Sequence, residues 1–173
     1  MDFDFPNLVE PADKDAVLRF FCEGLEEIVP SGLVSKEETI YVASKLASYA
    51  QDSTEPNDLY PPSKDLSEFF DFFVLRPGVV LMDYELLINA CGQILLLNGF
   101  FRDQMRHRHK VEWYDELGRT FYRRLASLST GPRRRRLFSR MASNMHIWNP
   151  TCCKLQRNLA ENSADRQYLI CRD

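Results

Sequence analysis

The stretch LLINACGQILLL, from Leu86 to Leu97, is the most continuously apolar part of the chain. Its apolar residues fall on nearly every side of a helix, which is the pattern of a helix buried in the centre of a protein. Asn89 and Gln93 interrupt the stretch, and it is shorter than the roughly 20 residues needed to cross a lipid bilayer. We therefore expect a central helix that begins near Asp83, inside a globular protein rather than in a membrane.

Amphipathic helices are predicted before this central helix. The apolar face of the first, over residues 13–28, comprises Val17, Phe20, Phe21, Gly24, Leu25 and Ile28. Ser35 followed three residues later by Glu38 is a capping box that begins a second helix. The apolar face of this second helix comprises Ile40, Ala43, Leu46, Ala47 and Ala50. Residues 52–62 are predicted as a loop, and Ser63 caps a third helix.

More helices are predicted after residue 100. The apolar face of one of them comprises Trp113, Leu117, Phe121, Leu125 and Leu128. Gly131 and Pro132 break the pattern before a helix opened by Arg133 to Arg136, and Asn149-Pro150 is expected to end that helix before a short one over residues 152–161. The fold class predicted is therefore all-α, a single irregular bundle of about six or seven helices, with a short helical-repeat-like stack as the alternative.

The predicted domain organisation has three parts. An acidic and aromatic segment occupies residues 1–12, one helical domain covers residues 13–161, and a polar tail follows over residues 162–173. The first residues carry acidic charge where a secretory or mitochondrial address would carry basic charge. The expected localisation is thus cytoplasmic, nuclear or both.

The charge of the chain is divided along its length. Residues 1–100 contain six Lys or Arg and eighteen Asp or Glu, a net charge of −12, whereas residues 101–173 contain sixteen and seven, a net charge of +9. The formal net charge of −3 for the whole chain therefore conceals an acidic part, which ends at about residue 100, and a basic part that follows it.

The basic part offers a candidate binding surface. Arg102, Arg106 and Lys110 are spaced by four residues, which would align them on one face of a helix. Arginine suits carboxylates and phosphates because its planar guanidinium donates two parallel hydrogen bonds. The candidate binding residues are Arg102, Arg106, Lys110, Arg119, Arg123, Arg133, Arg134, Arg135, Arg136 and Arg140. The residues that could stack on nucleic-acid bases are Trp113, Tyr114 and Tyr122.

Three interpretations of this basic surface remain open on the sequence. The arginines could pack against the acidic part or form a solvated face with no partner. They could bind the acidic surface of a partner protein, or serve as a nuclear-import signal. They could also bind the phosphates of a nucleic acid.

Motifs of the common catalytic and cofactor sites are missing from the sequence. Neither GxGxxG, GxxxxGK[ST], GxSxG nor HExxH occurs. The side chains that could bind a metal, none of them in a CxxC pair, are His107, His109, His146, Cys152, Cys153 and Cys171. Asp115 and Glu116 are interpreted as helix-dipole complements rather than as an acid–base pair. We therefore expect no enzymatic activity, no cofactor and no metal.

The function predicted from these observations is that of a non-catalytic helical protein-interaction domain. It would act as an adaptor or as a subunit of a larger intracellular complex, through its basic C-terminal surface, on a partner protein with an acidic surface. The alternative is a nucleic-acid-associated protein that binds RNA or DNA phosphates with the same surface.

Overall fold

Helices dominate the part of the chain that the structure describes. The computed structural model describes residues 14–52, 83–107 and 110–170. Its elements, in chain order, are α1 (Lys14–Ile28), α2 (Lys36–Asp52), α3 (Tyr84–Leu95), a π-helical turn (Leu96–Phe100), α4 (Arg102–Arg106), α5 (Val111–Leu128) and α6 (Pro132–Ile170). These residues contain no strand, so the predicted all-α fold is confirmed. The predicted segment 1–12, the loop beyond Asp52 and the helix from Ser63 lie outside the described residues.

α3 corresponds to the helix that the apolar stretch predicts, and several of its sides are buried. It begins where expected, because Asp83 Oδ1 accepts hydrogen bonds from the amides of Glu85 and Leu86 at 3.0 and 3.1 Å. Its buried residues lie on several sides of the helix and are Leu87, Ala90, Cys91, Gly92, Ile94 and Leu95. No helix in the described ranges combines the length and the apolar character needed to cross a membrane.

The π-helical turn continues α3 and brings a polar residue into the core. The amide of Phe101 donates to the carbonyl of Leu96 at 2.9 Å, which is the wider i→i+5 hydrogen bond of a π-helix. Asn98 lies within this turn and is buried. The sequence pattern contains no signal for this turn, so it was not predicted.

The capping box at the start of α2 is confirmed, but the predicted apolar faces need a correction. The Ser35 amide donates to Glu38 Oε2 at 2.8 Å, and the Glu38 amide donates to Ser35 Oγ at 3.2 Å. Phe20 and Ile40, predicted on the buried faces of α1 and α2, are exposed. The side of α2 that carries Glu38 faces α6, and a residue two positions later points almost the opposite way at about 100° per residue. Ile40 therefore faces outward, and Val42 takes its place in the core.

α6 is one continuous helix, which corrects the predicted break at Asn149-Pro150. Pro150 lies inside α6 and removes one helical hydrogen bond, the one that the carbonyl of His146 would accept. Pro150 and His146 are both exposed, so water can hydrate that carbonyl. Trp148 and Cys152, on the opposite side, are fully buried and hold the helix against the core through this point. The backbone remains helical to Ile170, into the segment predicted as a tail.

Gly118 of α5 allows a close approach of α5 to α6 and α3. A Cβ atom at this position would lie 2.7 Å from Met145 Cε and 2.9 Å from Ile94 Cγ2. Gly118→Ala is expected to lower the free energy of unfolding by about 1 kcal/mol, because overpacking outweighs the gain in helix propensity. Urea unfolding monitored by circular dichroism measures the difference. Gly92→Ala is the matched control, since Gly92 also lies inside a helix and its Cβ would meet only the Lys45 side chain, with Cδ at 3.4 Å, an ordinary contact, so it should not destabilise. A Gly118→Ala protein as stable as the parent would show that the interface between α5 and α6 repacks freely.

Candidate protein-interaction surface

An exposed cluster of arginines begins α6. We refer to five residues together as the arginine surface: Arg133, Arg134, Arg135, Arg136 and Arg140, all of them exposed. Pro132 occupies the first position of the helix, where its fixed φ suits the backbone and its missing N–H has no helical partner to lose. The amide of Arg135 donates to the carbonyl of Gly131 at 3.0 Å and so closes the first helical turn. The local sequence thus places the arginine surface on the first turns of α6.

Two members of the arginine surface contact acids of α2. Arg133 Nε donates to Glu37 Oε1 at 3.1 Å, and the Arg133 side chain is 84% exposed. Ion pairs with this exposure contribute little to stability because water competes for both partners. Arg140 Nη1 lies 3.8 Å from Glu38 Oε2. The interpretation that the arginines pack against acids therefore applies to two of them, and one of these pairs is weak.

Arg134 and Arg136 differ from these neighbours because neither forms an ion pair with any described residue. Arg134 is the third residue of α6 and lies in its first turn, where the helix macrodipole places partial positive charge, whereas Arg136 is the fifth residue and lies just beyond that turn. A positive charge in the first turn is unfavourable by about 0.3–1 kcal/mol when it is not neutralised. Arg134 is hence located where its charge opposes stability, and both arginines are exposed to solvent.

The buried carboxylate of Glu38 holds α2 against α6 beside the arginine surface. Glu38 Oε1 accepts hydrogen bonds from Asn144 Nδ2 at 2.8 Å and from Trp148 Nε1 at 3.2 Å. Its other oxygen accepts from the amide and the hydroxyl of Ser35. Burial by itself would raise the pKa of Glu38, but these hydrogen bonds to its charged form outweigh burial and lower the pKa below its usual value. The carboxylate therefore remains charged at neutral pH and fixes the position of the first turns of α2.

Asp115 is the centre of a second polar network, which sequence reasoning missed. Arg102 binds it with two parallel hydrogen bonds, from Nη1 to Oδ1 and from Nη2 to Oδ2, each 2.9 Å long. Asn149 Nδ2 donates to Oδ1 at 2.6 Å, and Asn98 Nδ2 donates to the same oxygen. The network joins α5 to the π-helical turn, α4 and α6. Asp115 is thus a structural side chain that binds a neighbouring arginine, not the helix-dipole complement that was predicted.

The predicted basic stripe is not a continuous helical face. Arg102 and Arg106 begin and end α4, whereas Lys110 lies outside a helix, just before α5. The side chain of Arg102 is only 12% exposed because it binds Asp115. Arg106 Nη1 lies 3.8 Å from Asp103 Oδ1. Among these three residues, the structure therefore leaves only Lys110 exposed without an ion pair to the described residues.

Arg119 and Arg123 lie on α5, and both contact Glu116. Arg119 Nη1 donates to Glu116 Oε2 at 3.1 Å, and Arg123 Nη1 lies 3.9 Å from Glu116 Oε1. Glu116 neutralises part of their charge, and no hydrogen bond or ion pair links either arginine to the arginine surface. The predicted basic residues hence do not form one surface, and the strongest concentration is at the start of α6.

The predicted stacking residues also need a correction. Tyr114 and Tyr122 are buried core side chains, so neither ring is available to a nucleic-acid base. The Tyr122 hydroxyl lies 3.2 Å from that of Tyr41, in an aromatic cluster that Phe138 completes. Trp113 is exposed and lies edge-on to the ring of Tyr114, with centroids 5.0 Å apart. Only Trp113 of the three is in a position to stack on a ligand.

The described cysteines are free thiols inside or at the edge of the core. They are Cys22, Cys91, Cys152 and Cys153. Burial raises the pKa of the Cys152 thiol to about 12 and raises that of Cys91 as well. Both thiols are therefore protonated at neutral pH, and a protonated thiol is a poor nucleophile and a poor metal ligand. Within residues 14–52, 83–107 and 110–170, the structure also brings no group of three or more His, Cys, Asp or Glu side chains together as a metal site.

The fold and this site together describe an all-helical protein with an exposed arginine cluster at the start of its longest described helix. No protein-family model matches the chain, and no curated protein or solved structure matches it either. Its function must therefore be inferred from its own side chains.

Proposed function

We propose that this chain is a non-catalytic helical interaction domain, an adaptor or a subunit of a larger assembly, that binds an acidic protein partner through the arginine surface. One observation carries the proposal. Arg134 and Arg136 are exposed and lack an ion pair with any described residue, and Arg134 lies in the first turn of α6, where positive charge is unfavourable. An acidic partner would remove this unfavourable charge, so that binding and relief of repulsion act together.

A bidentate hydrogen bond to a carboxylate is the interaction that this surface is suited to make. The guanidinium group presents two parallel N–H donors, and charge-assisted hydrogen bonds of this kind are stronger than neutral ones. Glu38 also fixes the neighbouring part of α2 through hydrogen bonds to α6. The backbone beneath the arginine surface is therefore held in place before a partner arrives, which lowers the entropic cost of binding.

The nucleic-acid alternative has less support. A nucleic-acid surface usually combines a continuous basic track with exposed aromatic rings. Two of the three predicted stacking residues, Tyr114 and Tyr122, are buried, and Arg102 binds Asp115. The remaining basic cluster includes the exposed acid Glu37, which would repel phosphate.

A charge-reversal variant tests the proposal. Arg134→Glu combined with Arg136→Glu is expected to weaken binding of a synthetic polyglutamate peptide at least about tenfold, by fluorescence anisotropy at low salt. The same variant should melt at the same temperature as the parent or higher, because glutamate is favoured at a helix start.

Lys154→Glu is the control variant for this experiment. Lys154 is an exposed residue of the same helix, distant in sequence from the arginine surface, and Arg134→Glu alone gives the same change in charge. Lys154→Glu should leave peptide binding nearly unchanged, whereas Arg134→Glu should weaken it. Equal effects of the two single variants would show that net charge alone governs binding and would refute the proposal. If the double variant Arg134→Glu and Arg136→Glu unfolds, the two arginines stabilise the fold, which would also refute the proposal.

A further inference from the structure

We infer that the partner segment is acidic and also carries apolar side chains, and that it lies across the start of both α6 and α2, covering Ile40. This inference rests on the proposed function and names the chemistry of the partner. It adds one apolar side chain, Ile40, and one acid, Glu37, to the arginine surface.

Ile40 is a large apolar side chain left exposed one helical turn from Glu37, the acid of α2 that contacts Arg133. Its exposed fraction is 43%. Ile40 follows Glu37 by three residues, so the two side chains are neighbours on one face of α2. Glu37 in turn accepts a hydrogen bond from Arg133. An apolar side chain and the first arginine of α6 therefore lie on either side of the same glutamate.

The charges of this combined surface favour a partner with several carboxylates. Five arginines face two acids, Glu37 and Glu38, so three positive charges remain uncompensated at neutral pH. The carboxylate of Glu38 is already engaged by Ser35, Asn144 and Trp148 and is buried. Glu37 has only the exposed contact with Arg133, in which it occupies a position that a partner carboxylate could take. Glu37 thus competes with a partner carboxylate for Arg133.

The exposed Ile40 favours a peptide over a polyphosphate as the bound partner. A phosphate backbone gains nothing from Ile40 and is repelled by Glu37, whereas a peptide can present carboxylates to the arginines and an aliphatic side chain to Ile40. Burial of an exposed isoleucine contributes to affinity in proportion to the apolar area removed from water. The surface therefore fits an acidic peptide with interspersed leucine-like residues better than it fits RNA or DNA.

Two synthetic peptides provide the test on the full chain. One contains glutamate and leucine in alternation, and the matched peptide has serine in place of every leucine. The leucine peptide is expected to bind about fivefold more tightly than the serine peptide, by fluorescence anisotropy. Ile40→Ser should remove this preference. Phe20→Ser is the matched control, because Phe20 is 42% exposed but lies on α1, and it should preserve the preference.

A variant of Glu37 tests the competitor role separately. Glu37→Gln should tighten the binding of both peptides by about twofold to threefold, since an exposed ion pair contributes only a fraction of a kcal/mol. Glu26→Gln removes an equal charge from an exposed position on α1 and should have a smaller effect. Equal tightening by both variants would overturn the competitor role.

The outcomes separate this inference from the proposed function. If both peptides bind equally and Ile40→Ser changes nothing, while Arg134→Glu still weakens binding, the inference fails and the proposed function stands. If neither peptide binds at low salt, both fail. Single-stranded RNA that binds more tightly than either peptide, with Ile40→Ser having no effect, would assign the surface to nucleic acid instead.

Discussion

Asp115→Ala is expected to lower the free energy of unfolding by about 3 kcal/mol. Two hydrogen bonds from the Arg102 guanidinium end on this carboxylate, and the Arg102 side chain is only 12% exposed. Removal of the Asp115 carboxylate leaves the nearly buried charge of Arg102 without a partner, and such an unpaired buried charge is costly. Asn98 and Asn149 lose an acceptor at the same time. The melting temperature should fall by roughly 6–12 °C, as measured by thermal unfolding in the far ultraviolet.

The neighbouring residue supplies the control for this prediction. Glu116→Ala removes the same charge one position later, but Glu116 contacts only the exposed ends of Arg119 and Arg123. The free energy of unfolding should change by no more than about 1 kcal/mol. If Asp115→Ala were no more damaging than Glu116→Ala, Arg102 would have to reach solvent in the native protein, and the buried network would not stabilise the fold.

Glu38→Gln is expected to lower the free energy of unfolding by about 2–3 kcal/mol at neutral pH. Glu38 has two carboxylate oxygens, of which one accepts from Ser35 and the other from Asn144 and Trp148. The glutamine side chain has a single acceptor oxygen. Its N–H₂ group must therefore face either the Ser35 donors or the donors of Asn144 and Trp148. Either the helix cap or the contact between α2 and α6 is then lost. Urea unfolding at pH 7 measures the loss.

The difference in stability between the parent and Glu38→Gln is also expected to depend on pH. The folded-state pKa of Glu38 is below its usual value, so its charged form stabilises the protein above the unfolded-state pKa, and this contribution is lost as the pH falls through the folded-state pKa. The stability difference between the parent and Glu38→Gln should therefore be constant near neutrality and shrink below about pH 4.3. Other carboxyl groups titrate in both proteins and cancel in the difference. A difference that grows on acidification would contradict the lowered pKa.

Local features of the fold were predicted well because they depend on neighbours along the chain. The capping box of Ser35 and Glu38 involves residues three positions apart, and the Asp83 cap binds amides two and three positions later. A helix that is apolar on nearly every side is stable only when most of its sides are buried, which is why the burial of α3 was also predicted correctly.

The sequence did not predict features that depend on residues distant along the chain. The spacing of Arg102, Arg106 and Lys110 does not show that a helix ends between them. Nor does it show that Arg102 binds a carboxylate thirteen residues away. Proline usually ends or kinks a helix, but α6 continues through Pro150, where Trp148 and Cys152 are buried in the core and the His146 carbonyl can be hydrated. The exposure of Ile40 likewise follows from the rotation of α2 that Glu38 imposes through α6.

Periodicity and composition depend on neighbouring residues, so the sequence alone indicates that the protein is helical, that α3 is buried on several sides and that basic charge is concentrated in the second part of the chain. Which arginines are exposed follows from the packing of the helices. Asp115 binds Arg102 inside the protein, whereas Arg134 and Arg136 remain exposed at the start of α6. The free energy of a charge depends on its distances to other charges and to water, and packing sets those distances.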